Sequence, residues 1–147
     1  MMIYANGQDI HKIIFANLQK EIAVENIRII DCGPEGFLKA FVSFLEHESI
    51  DLYKIKKIFV VIGPGSATAL RGSLSIFNTL GFTRAIELVP VTKDPNEQDI
   101  DTLQRMSEPG LSSHKTQNVL NPIYQHEPRI TLSTKDALRR QTKERTL

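Results

Sequence analysis

The chain has 147 residues, of which 41% are hydrophobic and 24% are charged, and its formal net charge is +1. These values fit one globular domain and exclude a wholly disordered chain, a collagen-like chain and a coiled-coil rod. No apolar run reaches the roughly 18 residues of a spanning helix, and the near-neutral charge argues against a dedicated nucleic-acid binder. A single cysteine, Cys32, and an N-terminus without secretory features predict a cytoplasmic protein with no membrane association.

The first part of the chain predicts three short strands followed by a helix. Residues 2–6, 11–17 and 27–32 are rich in β-branched and apolar side chains, and residues 7–9 between the first two indicate a turn. These connections are too short for crossovers, so the three strands should be antiparallel. After a Gly-Pro-Glu-Gly break, residues 37–49 predict the first helix.

The middle of the chain predicts a strand, a helix and a strand. Residues 57–62 form a near-continuous apolar strand, residues 67–80 predict a helix that Gly81 ends, and residues 86–91 predict a fifth strand. Pro90 within the last strand indicates its end or a sheet edge. Because such crossovers are right-handed, the strands they join should be parallel. We therefore predict an α/β fold over residues 1–92, with a five-stranded mixed sheet and two main helices.

Residues 93–147 are predicted to form a linker and an irregular basic tail. Residues 101–106 allow one or two helical turns, residues 108–117 are typical of a linker, and residues 133–145 fit a fraying helix. From Leu111 onward there are 7 Lys and Arg against 3 Asp and Glu, a net charge of +4, whereas the remainder carries 11 − 14 = −3. A solvated tail and a phosphate- or partner-binding tail both fit this distribution.

The first predicted helix carries more apolar surface than one sheet covers. Its apolar side chains span an arc of about 200°, whereas a helix lying on a sheet needs roughly 100° or somewhat more. The surplus either packs against the second helix and the tail or forms a protein–protein interface. The residues of this arc are Phe37, Leu38, Ala40, Phe41, Val42, Phe44 and Leu45.

The second predicted helix has one face of small residues with Arg71 as its only charge. Small side chains allow another helix to approach closely, and Gly72 costs roughly 1 kcal/mol relative to Ala in a helix interior, which favours a packing role. Arg71 would either reach a partner carboxylate or bond within the preceding turn. The predicted interface, for a homodimer or a heterodimer, comprises Phe37, Phe41, Phe44, Leu45, Arg71, Gly72 and Ser75.

The turn before this helix is Gly63-Pro64-Gly65-Ser66. Its two glycines permit positive φ values, Ser66 is a predicted N-cap, and amides at a helix N-terminus can bind an anion. The turn lacks the Gly-Lys-Ser/Thr end of a P-loop, and Thr68 stands where a Gly-x-Gly-x-x-Gly motif needs its third glycine. A compact structural turn and an anion site both remain open.

Residues 63–71 (GPGSATALR) closely resemble the GPGS-F-T-G-x-R signature of the bacterial TsaB (YeaZ) family. The order of elements over residues 1–92 agrees with that family, and residues 121–124 (NPIY) resemble the P-x-Y segment near the end of many members. Ala67 and Ala69 depart from the signature, and the resemblance implies a chain truncated to the family's N-terminal lobe. The matching signature residues are Gly63, Pro64, Gly65, Ser66, Thr68 and Arg71.

This resemblance implies a single lobe of the actin/Hsp70-like (ASKHA, ribonuclease H-like) fold and a non-catalytic role. TsaB proteins pair with the catalytic subunit TsaD in the synthesis of tRNA N6-threonylcarbamoyladenosine (t6A37), with a TsaE-like ATPase as a further partner and tRNA contacted only indirectly. The family's pairing surface is formed by the helices that match residues 37–49 and 67–80. Asn6 replaces the acidic residue that actin-like ATPases need at their first phosphate loop, so the resemblance implies no nucleotide cofactor.

Two other functions remain open: an anion- or nucleotide-binding domain that uses the turn at residues 63–66, and a degenerate self-associating module. The four histidines, His11, His47, His114 and His126, lack metal-ligand spacing with one another or with Cys32. His11 and His47 are predicted to be ordinary surface side chains, and Cys32 a structural thiol, because no basic residue is near enough in sequence to activate it.

Overall fold

The computed structural model describes residues 1–125. His126 and the helix expected at residues 133–145 lie outside the described residues. Within residues 1–125, no helix has the length and apolar content needed to cross a bilayer.

A five-stranded mixed sheet forms the centre of the molecule, as predicted. The strand order is β3-β2-β1-β4-β5. The three N-terminal strands pair antiparallel, whereas β4 pairs parallel with both β1 and β5. The strands are β1 (Met2–Asp9), β2 (Lys12–Asn17), β3 (Ile27–Asp31), β4 (Lys57–Gly63) and β5 (Glu87–Thr92).

The hairpin between β1 and β2 turns later than the sequence predicted. β1 continues through residues 7–9, and the turn lies at Ile10 and His11, where the Asp9 carboxylate accepts a hydrogen bond from the His11 amide at 2.7 Å. At Gly7 the strand passes very close to the helix at residues 67–84. A Cβ on Gly7 would lie 2.5 Å from the Cβ of Ser73, so only glycine fits there. The glycine therefore serves helix–strand packing rather than a turn.

Helices α1 (Phe37–His47) and α2 (Ala67–Arg84) cover one face of the sheet. An aromatic cluster joins them to β2: Phe15 stacks on Phe44 with ring centroids 5.0 Å apart, and Phe41 meets Phe77 edge-on at 5.5 Å. Such ring pairs stabilise a core beyond the apolar area that they bury. The larger of the two cores therefore lies between the sheet and these two helices.

Helix α3 (Asp99–Ser107) covers the other face, which corrects the expectation that residue 93 begins a linker. Leu103 and Met106 are buried against Tyr4 and Phe59, and the ring of His114 packs edge-on against Phe59. The few apolar residues of this segment complete the second core of the lobe instead of building a separate one.

Helix α2 continues one turn beyond the predicted end at Gly81. It ends at Arg84, and Ala85 adopts the left-handed conformation with φ of 53°. A Cβ on Gly81 would lie 2.8 Å from Leu88 Cδ1. Gly81 therefore permits close packing of the helix on β5, whereas the sequence pattern predicted that it ends the helix as a C-cap.

Candidate functional site

The signature loop, residues 63–71, runs from the last residue of β4 through the turn at residues 64–66 into the first residues of α2. Ser66 is the N-cap of α2 as predicted, and its Oγ accepts a hydrogen bond from the Ala69 amide at 3.4 Å. Gly63 has a positive φ of 129°, which L side chains rarely adopt. Gly65 does not adopt a positive φ; a glycine is required there because a Cβ would lie 2.7 Å from the Gln8 carbonyl oxygen.

An extended segment, residues 117–125, lies across this loop, and we call it the strap. Its backbone pairs with the sheet edge through the Gln117 amide and the Leu88 carbonyl at 2.8 Å. Farther along, the Ile123 amide donates to Ile62 and the Gln125 amide donates to the Gly65 carbonyl at 3.2 Å. The NPIY sequence is therefore part of the strap, and the strap as a whole bonds to the chain on both sides of Pro64.

Arg71 contacts the strap rather than the preceding turn, and that it also reaches a partner carboxylate stays a prediction. Its Nε donates to the hydroxyl of Tyr124 at 3.3 Å, and its guanidinium lies 5.6 Å from the centre of that ring. The side chain remains exposed. The arginine and the tyrosine of the two signature segments thus contact each other, which links the loop to the strap.

The four apolar residues predicted to form the interface belong to the core, and this corrects their assignment. Phe37, Phe41, Phe44 and Leu45 are buried beneath α1, with Phe41 only 2% exposed. Of the two alternatives for the surplus apolar surface of α1, packing against the second helix holds for Phe41, whose ring contacts that of Phe77. The apolar side chains that α1 does leave exposed are Leu38 at 54% and Val42 at 46%.

The small-residue face of α2 is divided between an internal contact and solvent. A Cβ on Gly72 would lie 3.2 Å from the Cβ of Pro34, in the short turn before α1. Gly72 therefore accommodates its own chain, whereas Ser75 and Thr79 are exposed, as is Thr68 of the signature loop. That these exposed positions contact a partner stays a prediction.

A cavity of about 320 Å³ opens beside the signature loop. Its wall is formed by the β1–β2 hairpin, by Gly65 and Ser66, and by the segment that connects β5 to α3. Concave sites of this size suit a small ligand. The polar residues of the wall include Asn6, Gln8, Lys12, Lys93 and Asp99.

Asn6 occupies the position that the resemblance matched to the first phosphate loop. Its Nδ2 donates to Asp99 Oδ1 at 2.8 Å, and the hydroxyl of Tyr4 donates to the same oxygen at 2.7 Å. Burial, and next the charge of Asp99, raise the pKa of the Tyr4 hydroxyl above its ordinary value, so this group stays protonated. A carboxylate is therefore present here, but it comes from α3 and is bound by two protein donors.

Gln8, Lys93 and Asp99 are among the residues of this cavity that sequence reasoning missed. Gln8 was assigned to a turn, and the other two to a linker. No local pattern brings residues 93–99 back to the hairpin; the pairing of β5 with β4 places Lys93 there, and the packing of α3 on the sheet places Asp99 there. The signal that was available is the weak amphipathic period of residues 99–107, with Leu103 and Met106 on one side.

The remaining candidates are the possible metal ligands, the histidines and Cys32. Within residues 1–125, no group of three or more His, Cys, Asp and Glu side chains is placed to hold a metal ion. His11 and His47 are exposed, as predicted. Burial, followed by the charges of Glu35 and Asp31, raises the pKa of the Cys32 thiol, which is the opposite of what an activated cysteine needs.

Solved structures with the same fold were found, whereas no protein-family model and no curated protein matches the chain. "YeaZ from Pseudomonas aeruginosa" is 14% identical, with a TM-score of 0.49 over 62% of this chain and 44% of that one. A protein described as "uncharacterized protein with similarity to peptidase YEAZ from Pseudomonas aeruginosa" is 16% identical, with a TM-score of 0.53 over 62% of this chain and 42% of that one. The chain thus spans less than half the length of these proteins. The predicted fold class is confirmed: the described chain is an α/β lobe with a five-stranded mixed sheet, and its fold is similar to part of the second of these proteins.

Proposed function

We propose that the chain is a TsaB-like, non-catalytic subunit of t6A37 biosynthesis that pairs with a TsaD-like catalytic subunit. The observation that carries the proposal is the position of GPGSATALR at the β4–α2 junction of a YeaZ-like lobe, where Arg71 contacts the NPIY segment through Tyr124. Two sequence segments that resemble the same family thus meet in space, although they are 50 residues apart.

The proposed pairing surface is the exposed part of α1 and α2. Leu38 and Val42 are one helical turn apart on α1 and form an apolar stripe there. The exposed face of α2 contributes the small side chains of Ser75 and Thr79, which permit close approach of a partner helix. Such a surface suits a helical partner, and it replaces the buried phenylalanines in the predicted interface.

The non-catalytic part of the proposal rests on the hairpin. The Asn6 carboxamide offers no charge for a metal–nucleotide complex, and both of its polar atoms bond to protein, to Asp99 and to the Gln8 amide. In this proposal the chain acts in the cytoplasm as a scaffold, forms a homodimer when alone, recruits a TsaE-like ATPase only within the larger assembly, and contacts tRNA indirectly.

Co-purification with the TsaD homologue of the same organism tests the pairing. We expect a stable complex with the natural chain that is lost with Leu38→Glu combined with Val42→Glu. Val24→Glu is the matched control, because Val24 is 70% exposed but belongs to the short turn before β3 and to neither helix. No complex with the natural chain, together with a homodimer in light scattering, would favour the self-associating module instead.

A further inference from the structure

The two edge strands of the sheet, β5 and β3, differ in how their outer backbone groups are satisfied. On β5 the Leu88 carbonyl accepts a hydrogen bond from the Gln117 amide at 2.8 Å. The Thr92 carbonyl accepts from Arg105 Nη2 at 2.9 Å, and Pro90, between the two, has no N–H to offer. The strap, α3 and a proline thus cover the β5 edge, in the ways that proteins commonly protect an edge strand.

On β3 the outward backbone groups are those of Ile27, Ile29 and Asp31. The Cys32 amide donates to the His11 carbonyl at 3.1 Å, which shows that the even-numbered residues bond toward β2. Because neighbouring residues of a strand point their N–H and C=O groups to opposite sides, positions 28 and 30 also bond to β2. The three odd-numbered residues therefore turn their backbone groups away from the sheet.

Most of these outward groups are free within residues 1–125. The Ile27 amide donates to the Val24 carbonyl in the preceding turn. The Ile27 carbonyl and both backbone groups of Ile29 and Asp31 bond to no described residue. β3 also contains no proline and no lysine, and its pairing with β2 has no bulge. It is therefore an unprotected edge that can accept another strand.

The side chains of β3 make the centre of this edge apolar. Ile29 is 57% exposed and lies on the same side of the sheet as Ile14 of β2. The two charged residues of the strand, Arg28 and Asp31, have opposite signs. On the α1 side, two grooves of about 300 and 320 Å³ lie along β3 and leave room for further side chains. A strand that adds here must therefore bring an apolar side chain to the centre of the edge.

We propose that β3 pairs antiparallel with β3 of a second copy of this chain, about a two-fold axis at Ile29. The Ile29 amide of each copy donates to the Ile29 carbonyl of the other, and each Asp31 amide donates to the Ile27 carbonyl of the other. The free groups of the edge thus complement themselves, and only the Asp31 carbonyl stays outside the ladder because the Ile27 amide is already bonded. The two sheets join into one continuous sheet.

The side chains favour this register. Ile29 covers Ile29 of the second copy, and Arg28 lies opposite Ile30, so no two like charges face each other. With the axis at Ile30 instead, the exposed Ile29 would lie opposite the Asp31 carboxylate, which covers less apolar surface.

This contact uses neither Leu38 nor Val42 of α1, so it does not rest on the proposed pairing with a TsaD-like subunit. A strand of five residues spans only about 17 Å, which is short for a stable interface. We therefore expect a weak, reversible dimer with a Kd of roughly 10 to 100 μM.

Sedimentation velocity of the chain, at concentrations below and above this Kd, tests the dimer. Ile29→Lys should raise the Kd at least about tenfold, because two like charges would meet at the axis. Val119→Lys is the matched control, since Val119 is 58% exposed on the strap, which bonds to the opposite edge of the sheet. Leu38→Glu combined with Val42→Glu should leave the dimer intact.

A natural chain that stays monomeric throughout would overturn the proposal. So would a dimer that survives Ile29→Lys, or one that is lost only when Leu38 and Val42 are replaced, because it would lie on the helices. Ile29→Lys should still co-purify with the TsaD homologue, so that the two proposals succeed or fail separately.

Disulfide cross-linking tests the register. Directly opposite residues of a hydrogen-bonded antiparallel pair have Cα atoms about 5.5 Å apart, which a disulfide can span. Ile29→Cys, combined with Cys32→Ser to remove the natural thiol, should therefore form a covalent dimer under mild oxidation. Val119→Cys in the same background should remain monomeric. A dimer in which Ile29→Cys does not cross-link would contradict the two-fold axis at Ile29.

Discussion

The Asn78 side chain and the Leu120 backbone exchange two hydrogen bonds. Asn78 Nδ2 donates to the Leu120 carbonyl at 3.0 Å, and the Leu120 amide donates to Asn78 Oδ1 at 2.7 Å. The Leu120 side chain is buried in the core beside α2. The Asn78 carboxamide, in the middle of α2, thus makes the two hydrogen bonds that Leu120 would otherwise make with a neighbouring strand. It holds the strap on the lobe.

Asn78→Ala should release the strap. The change leaves the amide and carbonyl of Leu120 without their partner, and an unsatisfied buried group costs about 1–3 kcal/mol. We expect the urea midpoint to fall and the amides of residues 117–125 to exchange faster with deuterium. Asn118→Ala is the control, because Asn118 is exposed on the strap itself. Unchanged exchange in Asn78→Ala would show that other contacts hold the strap.

Truncating Phe41 should destabilise the whole lobe, because this residue belongs to the core and not to a binding surface. Its ring contacts Phe15 and Phe77, and truncation of a buried phenylalanine to alanine costs about 3–5 kcal/mol. We expect Phe41→Ala to lower the urea midpoint strongly, while the neighbouring exposed Val42→Ala changes stability by less than about 0.5 kcal/mol. Comparable effects of the two substitutions would contradict the assignment of Phe41 to the core.

The contacts of Glu97 predict a stability that falls in acid. A hydrogen bond from the buried Thr102 hydroxyl, and next the guanidinium of Arg105, hold the pKa of the Glu97 carboxyl below its ordinary value. A lowered pKa in the folded state means that the stabilisation is present above the unfolded pKa of about 4.3 and is lost as the pH falls through the folded pKa.

We therefore expect Glu97→Gln to lower the free energy of unfolding by about 1–2 kcal/mol at neutral pH and by much less at about pH 3. Urea unfolding at the two pH values measures the difference. Glu108→Gln, at an exposed position after α3, should give no pH-dependent difference. A deficit of Glu97→Gln that persists undiminished in acid would exclude the ionised carboxylate as its source.

Cys32 should react slowly with alkylating reagents. Burial and two nearby carboxylates raise the pKa of its thiol, and only the thiolate reacts. We expect iodoacetamide to modify the folded chain more slowly than the urea-unfolded chain at the same pH, and Glu35→Gln to accelerate the folded reaction. Glu46→Gln, on the exposed face of α1, should leave the rate unchanged. Equal rates in folded and unfolded chains would refute the raised pKa.

The strands and the first two helices were predictable because local patterns determine them. The apolar run at residues 57–62 and the N-cap Ser66 each identify their element without knowledge of the fold. The burial of Phe41 and Phe44 was not predictable, since an apolar arc does not reveal how many neighbours cover it. Whether a helix face contacts its own sheet, a second helix or another protein is a property of the tertiary packing.

The cavity escaped prediction for a related reason. Gln8 and Lys93 become neighbours only when β5 joins the sheet, Asp99 joins them when α3 folds over it, and the sequence between them contains no motif of fixed spacing. The glycines illustrate the same limit at shorter range. The sequence marks Gly63 and Gly65 as special, but only the structure separates the positive φ of the first from the close approach of the second.

The strap also determines when the lobe can be completed during synthesis. Its hydrogen bonds to Ile62 and Gly65 join residues about 60 positions apart, so β4 and the signature loop are made long before the segment that covers them. Until the strap has left the ribosome, the part of the core that Leu120 covers stays exposed to water. During synthesis, the signature loop is therefore exposed for a time to any molecule that binds it before the strap is in place.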